Sequence, residues 1–326
     1  MRNYRMDNIK TFLILCVVSG HMLELSGTGG WYRVIYSFHM PAFIFVSGFF
    51  AHFDRKRIVS SLVYPYILFQ ILYLVFDAVV MNHNPAVLNI QFTTPYWLLW
   101  YLLVMIFYYL LLPFMEGVNG VLLLVSGSVL SLLSGFDQSI GYYLSLSRFF
   151  TFLPYFILGT IWKRLNIEGL LKNNRIRFVN AAGILVTCLL LGKFQFVSNN
   201  MLYGSYSYGG AGYSILIKGL LLLCAVNWIC FFMWIFPESR IPVISSIGKN
   251  TLIVFLFHGF IKKYLESVGG VFIYSRYVNM GLAVFISSII VLIFGNRYVG
   301  TVGKQIVTGE GIEKIVTYVK RRWDKC

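Results

Sequence analysis

Residues 7–24 read Asp7-Asn8-Ile9-Lys10-Thr11-Phe12-Leu13-Ile14-Leu15-Cys16-Val17-Val18-Ser19-Gly20-His21-Met22-Leu23-Glu24, an apolar run with an ionisable pair at each end. A run of about 20 apolar residues spans a bilayer as a helix. An ionisable side chain in hydrocarbon costs at least a few kcal/mol, so such residues face an internal cavity and act there. At about 100° per residue, Asp7, Lys10, His21 and Glu24 fall within an arc of about 100°. Lys10 and His21 are about three turns apart on one face, and Glu24 is close enough to orient or charge His21. His21 lies about 18 Å above the inner boundary, past the middle of the hydrocarbon.

The rest of the chain repeats the pattern. The sequence is 58% hydrophobic and 12% charged, where soluble domains carry about 25% charge. Apolar segments fall at roughly 9–26, 31–52, 58–81, 95–115, 117–134, 147–163, 178–197, 212–236, 246–265 and 271–294. The expected fold is all-α, a polytopic membrane helical bundle of about ten transmembrane helices with both termini cytoplasmic. No cleavable signal peptide is evident, because the first segment contains His21 and Glu24 and lacks a small-residue cleavage site.

The net charge of +15 would fit a nucleic-acid partner, but its distribution excludes one. Ten spans place Arg2, Arg5, Lys10, Arg55-Lys56-Arg57, Lys163-Arg164, Lys172, Arg175, Arg177, Arg240, Lys249 and the C-terminal tail on the cytoplasmic side. The opposite side receives Arg33, Arg148, Lys193, Lys262, Lys263 and Arg276. That asymmetry is the positive-inside rule, so the basic excess encodes topology and contact with membrane lipids. Residues 1–296 read as one transmembrane domain. Residues 297–326 read as a basic cytoplasmic tail, with Ile312-Glu313-Lys314-Ile315-Val316 and Lys320-Arg321-Arg322-Trp323 forming an interfacial helix.

Two further histidines share the depth of His21. His39 lies about 21 Å above the cytoplasmic end of the second span, and His258 about 18 Å along the ninth. Thr251, His258 and Lys262 occupy one helical face, which indicates a polar interior. His21, Glu24, His39 and His258 are therefore the candidate catalytic residues. Lys10, Lys56 and Arg57 near the inner boundary are candidates for the phosphates of an anionic cytosolic donor, because the fork of arginine matches phosphate geometry. Pro41 and Ser47-Gly48 mark either a kink in the second helix or a close helix contact. On the outer side, Arg148 with Trp97 and Trp100 suits a sugar acceptor or an interfacial aromatic belt. No nucleotide-binding or metal-ligand motif occurs, and the five cysteines are scattered as small apolar residues.

At these residues the chain resembles the acyltransferase-3 family of membrane acyltransferases. It is most similar to the branch called fucose 4-O-acetylase-like, with the capsular and exopolysaccharide O-acetyltransferases. The matching stretches are Met6-Asp7-Asn8-Ile9-Lys10 leading to Ser19-Gly20-His21, then Phe38-His39-Met40-Pro41 and Ser47-Gly48-Phe49. Lys56-Arg57 with Tyr64-Pro65-Tyr66, Trp97 to Leu102, Arg148 to Gly159, and Asn250-Thr251-Leu252 running to His258 complete the order. The resemblance implies ten helices in a bacterial plasma membrane, acetyl-CoA as cytosolic acyl donor and a glycan hydroxyl as acceptor. It makes His21 the key histidine. Lys10 stands where much of the family has arginine, and Ser60 replaces the second of a paired-arginine motif that Arg57 begins.

Acyl transfer from a thioester to a hydroxyl needs a base for the hydroxyl proton and donors for the developing oxyanion. A mid-membrane histidine serves as that base or as a transient acyl carrier, and the sequence leaves both open. The acceptor is a cell-surface polysaccharide or its lipid-linked sugar precursor, modified by the membrane domain itself or with glycan-assembly proteins as partners. The main rival is a proton-coupled transporter or lipid-linked-sugar flippase with His, Lys and Glu along a path, although no inverted repeat supports it. A scaffold for other glycan enzymes would leave the buried histidines without a role.

Overall fold

The computed structural model describes residues 2–27, 29–81, 91–194 and 197–309, and those residues contain helices and no strand. A helix stands at each of the ten expected segments. These are α1 (Tyr4–Leu25), α2 (Gly29–Phe49), α3 (Arg55–Val79), α4 (Trp97–Met115), α5 (Gly120–Leu133), α6 (Tyr143–Ile161), α7 (Asn174–Lys193), α8 (Ile215–Ile235), α9 (Thr251–Val268) and α10 (Arg276–Gly295). An eleventh, α11 (Arg297–Val307), follows at once. The expected interfacial helix at 312–323 lies outside the described residues.

Seven of these helices, α1, α3, α4, α6, α7, α8 and α10, are long and apolar enough to cross a membrane. The chain is thus a multi-pass helical membrane protein. The other three differ for physical reasons. α5 has only 14 residues. α2 carries Arg33, Ser37, His39 and Ser47, and α9 carries His258, Lys262, Lys263 and Glu266. Ser37 and His39 of α2 and His258 and Lys262 of α9 turn inward and are buried. Polar content in a spanning helix is tolerated when it faces the bundle interior.

α1 and α2 form the centre. α1 packs against α2, α9 and α10, and α2 packs against α6, α7 and α8. Leucine and valine side chains on α5, α7, α8 and α10 face outward, among them Val125, Val186, Leu216, Leu220 and Leu292. In lipid the apolar face turns out and the interior is held by close packing and hydrogen bonds. Asn180 of α7 illustrates the second: its amide donates to Asn227 Oδ1 of α8 at 2.6 Å, and Trp234 Nε1 donates to Asn180 Oδ1 at 2.7 Å.

The first of these devices explains Ser47-Gly48. α2 runs unbroken through Pro41 to Phe49, so no break occurs there. A Cβ on Gly48 would collide with the Phe156 carbonyl oxygen of α6, and one on Gly159 would collide with the Phe45 carbonyl oxygen. The two glycines let the backbones of α2 and α6 touch. Ser47 accepts or donates to Tyr101 Oη at 2.8 Å, which ties α4 to the same crossing.

The start of α1 is anchored rather than catalytic. Asn3 caps it by accepting from the Met6 N–H at 3.1 Å. Asn8 Nδ2 donates to the Pro237 and Ser239 carbonyls, and Thr11 Oγ1 donates to Ile244 O at 2.6 Å. These bonds tie α1 to the α8–α9 connection. Asp7 pairs with Arg2 at 2.6 Å and with Lys10 at 2.9 Å. The single polar stripe of the sequence therefore divides into one half at Asp7–Lys10, joined by an ion pair, and a separate half at His21–Glu24.

Candidate active site

The second half of that stripe meets the polar start of α2. α1 ends at Leu25 and α2 begins at Gly29, so a short turn brings residues 21–24 beside residues 32–39. His21 Nδ1 and Tyr36 Oη lie 3.1 Å apart, and Glu24 Oε2 lies 3.8 Å from the same nitrogen. Tyr36 is thus the closer polar partner of the imidazole, and Glu24, expected from spacing, stands within ion-pair range of the same nitrogen. Tyr36 in turn stacks on Tyr32 at 4.1 Å and meets the His39 ring at 4.6 Å.

The three histidines converge. The His258 ring stacks on His21 at 5.4 Å with an interplanar angle of 23°. His39 is buried among the same group through Tyr36. His39 Nδ1 lies 2.8 Å from Ile35 O and His258 Nδ1 lies 3.0 Å from Val254 O. A carbonyl only accepts, so in both rings Nδ1 carries the proton and Nε2 presents its lone pair. His258 Nε2 is buried with no hydrogen-bond partner.

Helix α4 brings the first aromatic wall. Trp97 sits at φ +34°, a conformation that a bulky L-residue rarely adopts and that costs about 1–3 kcal/mol. Its ring centroid lies 4.7 Å from that of His21 and 5.1 Å from Lys262 Nζ. Lys262 pairs with Glu266 at 2.9 Å and approaches Glu24 at 3.9 Å. One carboxylate–ammonium network therefore borders the histidines, and the Trp97 ring touches both its cation and the His21 imidazole.

Arg148 approaches from α6. Its guanidinium lies over Trp100 at 5.0 Å and over Tyr142 at 5.2 Å, and Nε donates to Tyr203 O at 3.3 Å. Cation–π contacts hold the group without neutralising it. Tyr203 Oη and Tyr32 Oη share a hydrogen bond of 2.8 Å. Burial, first of all, raises the Tyr203 phenol above its ordinary range, so it remains a neutral donor.

A cavity of about 330 Å³ joins these parts, lined by His21, Glu24, His39, Trp97, Trp100 and Arg148 together with Tyr36 and Tyr203. Six of the sequence candidates thus line one space, and His258 stands directly behind His21. The remaining three lie elsewhere. Lys56 and Arg57 are exposed at the other end of the bundle, where Arg57 Nη1 lies 3.3 Å from His52 Nε2. Lys10 is held by Asp7 and lies 5.9 Å from the centre of the Phe50 ring, close to the end of α2. A smaller pocket of about 60 Å³ between α2, α4 and α9 shares Met40 and Phe255 with the histidine cavity and reaches Thr251 toward that basic end.

Sequence reasoning placed Lys262 on the inward face of His258 but missed Tyr36 and Tyr203 as parts of the cavity's polar network. Tyr36 lies one helical turn before His39, a spacing that puts both on one face, and that signal was available. Tyr203 comes from a connection whose placement no periodicity encodes. Among the described residues, no three His, Cys, Asp or Glu side chains approach as metal ligands.

The chain was also compared with known proteins. A family model described as an acyltransferase domain matches residues 3–296. No curated protein and no solved structure matches the chain.

Proposed function

The chain belongs to the acyltransferase-3 family, and from that premise we propose that it moves an acetyl group from cytosolic acetyl-CoA to a hydroxyl of a cell-surface polysaccharide or its lipid-linked sugar precursor. The observation that carries this reading is one cavity in which His21 and His39, with His258 stacked behind His21, face an aromatic and cationic wall. An acyltransferase needs such a pairing: bases on one side, and on the other a surface that takes a sugar through ring stacking and hydrogen bonds.

His21 is the base. When Tyr36 accepts from Nδ1–H, Nε2 holds the lone pair that removes the acceptor hydroxyl proton. The freed oxygen attacks the thioester carbonyl and forms a tetrahedral oxyanion. Collapse of that intermediate breaks the C–S bond, and the protonated imidazole returns its proton to the departing thiolate. Arg148 and Lys262 are the nearby cations that favour developing negative charge. Trp97 and Trp100 offer faces for the sugar.

The donor binds at the opposite, basic end, with its phosphates near Lys10, Lys56 and Arg57. Its narrow pantetheine arm runs toward His21 past Met40 and Phe255, the residues common to both pockets. Replacing Lys56 and Arg57 together by Ala is expected to weaken CoA binding about tenfold, since each exposed, solvent-screened ion pair contributes up to about 1 kcal/mol. Titration calorimetry at two ionic strengths checks this, and the wild-type affinity should fall more steeply with salt than the variant's. Unchanged affinity would place the phosphates elsewhere.

The orientation is that of a bacterial plasma-membrane protein with both termini in the cytoplasm. Reporter fusions after residue 88 should read outside, and fusions after residues 170 and 326 should read inside. An outside signal at the C-terminus would reverse the donor and acceptor sides.

Acetylation of a defined glycan by the purified protein and labelled acetyl-CoA tests the whole reading. Absence of transfer with intact CoA binding would move the acceptor to another class.

A further inference from the structure

Five cations, Arg2, Arg240, Lys249, Arg297 and Lys304, line a cavity of about 470 Å³ at the end of the bundle where α1 starts and α10 stops. Three separate segments supply them: the approach to α1, the connection between α8 and α9, and α11. Two close approaches bring these segments together. A Cβ on Gly248 would collide with the Asp7 carbonyl oxygen, and one on Gly300 would collide with the Asn250 side chain. Arg2 Nη2 donates to Ser245 O at 3.3 Å, and Asn250 Nδ2 donates to Gly295 O at 3.1 Å, which ties the walls to one another.

Among the described residues, Asp7 is the carboxylate that pairs with Arg2, and none pairs with Arg240, Lys249, Arg297 or Lys304. A topological bias scatters basic residues over the cytoplasmic ends of helices. It gives no reason for four unpaired cations to line one space, where like charges repel. An anion among them removes that repulsion. Ser246 and Thr301 add hydroxyls to the wall and Tyr4 an aromatic ring. The volume falls within the range of about 300–1,000 Å³ usual for small-molecule sites.

Helix α11 indicates which kind of anion. At about 100° per residue, Arg297, Thr301 and Lys304 share one side, and the exposed Tyr298, Val302 and Ile306 centre about 130° away from them. An exposed apolar stripe suits the membrane surface, so the basic side turns away from lipid toward water. Two links then join this cavity to the path toward the histidines. Asp7 holds Arg2 at 2.6 Å and Lys10 at 2.9 Å on its two oxygens. Asn250 lines the cavity, and the next residue, Thr251, lines the small pocket that shares Met40 and Phe255 with the histidine cavity.

Resting on the acyl-CoA reading above, we infer that this cavity binds the 3′-phosphate on the ribose of the donor, while Lys10, Lys56 and Arg57 take its diphosphate. A phosphomonoester carries about −1.5 to −2 charge at pH 7, and the guanidinium forks of Arg240 and Arg297 match its oxygens. These are binding residues for the donor, distant from the bond that is made.

The test uses the full chain in phosphatidylcholine nanodiscs and titration calorimetry with CoA and with 3′-dephospho-CoA. Wild type is expected to bind CoA about tenfold more tightly, since exposed ion pairs contribute about fivefold each at most. Lys249 and Arg297 are exposed, so Lys249→Gln combined with Arg297→Gln should leave the fold intact. That variant should bind CoA about tenfold more weakly and 3′-dephospho-CoA within about twofold of wild type. Lys172→Gln combined with Arg175→Gln removes the same charge from exposed sites outside the cavity and should keep the preference. Replacing Lys56 and Arg57 by Ala should weaken both ligands and keep the preference too, so the two phosphate sites are read separately. Equal binding of the two ligands by wild type, or a preference that survives in the Lys249/Arg297 variant, would overturn the assignment. So would loss of the preference when phosphatidylglycerol is added to the nanodisc, which would give the cavity to a lipid headgroup. Wild type that binds neither ligand would sink the donor reading and this site with it.

Discussion

His21→Gln should reach the membrane at wild-type levels, bind acetyl-CoA normally and transfer acetyl groups about 10²–10⁴-fold more slowly, the usual cost of losing a general base. Glutamine keeps the polarity and approximate size of the imidazole and can still hydrogen-bond Tyr36, but it cannot take the hydroxyl proton. The contacts of His21 make this a catalytic rather than a structural loss. Its ring is only partly buried, and its polar contacts go to the cavity residues Tyr36 and Glu24 rather than to backbone. His39 and His258 differ, since each donates to the carbonyl four residues earlier and packs in the interior. Their alanine variants should lose stability as well as rate. If a well-expressed His21→Gln protein retains substantial transfer, the role of base passes to His258, whose Nε2 lacks a partner. A labelled acetyl group trapped on His21 would instead make it a carrier.

Gly48→Val should be the most damaging substitution outside the cavity. The Cβ at that position meets the Phe156 carbonyl oxygen, a backbone atom that cannot turn aside, so α2 and α6 must separate. Overpacking of this kind costs about 1–3 kcal/mol, and more where backbone is displaced. Against a total stability of about 5–15 kcal/mol, Gly48→Ala should lower the melting temperature in detergent and Gly48→Val should prevent accumulation of folded protein. α2 also carries Tyr36 and His39, so transfer should fall with stability. Gly219→Ala in α8 is the matching control. Nothing lies within 4 Å of a Cβ there, and alanine in place of glycine favours a helix by about 1 kcal/mol. Equal melting temperatures for wild type and Gly48→Ala would mean that the helices do not cross at these glycines.

Much of the site was legible because helix geometry converts sequence position into depth. At 1.5 Å per residue, His21, His39 and His258 had to lie at similar heights, and their rings now lie around Tyr36 and Trp97. Trp97, Trp100 and Arg148 were marked as aromatic and cationic groups on the outer side that suit a sugar or an interfacial belt. The stripe from Asp7 to Glu24 misled in one respect. A shared helical face does not imply a shared task, and Asp7 spends its charge on Arg2 and Lys10 while Asn8 and Thr11 bind the α8–α9 connection. Lys218 carries no such signal, being a single lysine in an apolar run. Its burial arises only once α8 packs in the bundle.

By itself, the sequence determined that this chain is a membrane bundle of helices, roughly where each helix begins and how deep each ionisable group sits. Apolar run length and the rise per residue are local quantities, and lipid forces every backbone group to be satisfied within its own helix. Only the tertiary structure decided which faces turn toward one another. Rotation about a helix axis and the choice of neighbour depend on where backbones approach most closely, and Gly48, Gly159 and the Asn180–Asn227 pair set that here. Those contacts bring Tyr36 to His21 and set the Trp97 ring against both His21 and Lys262.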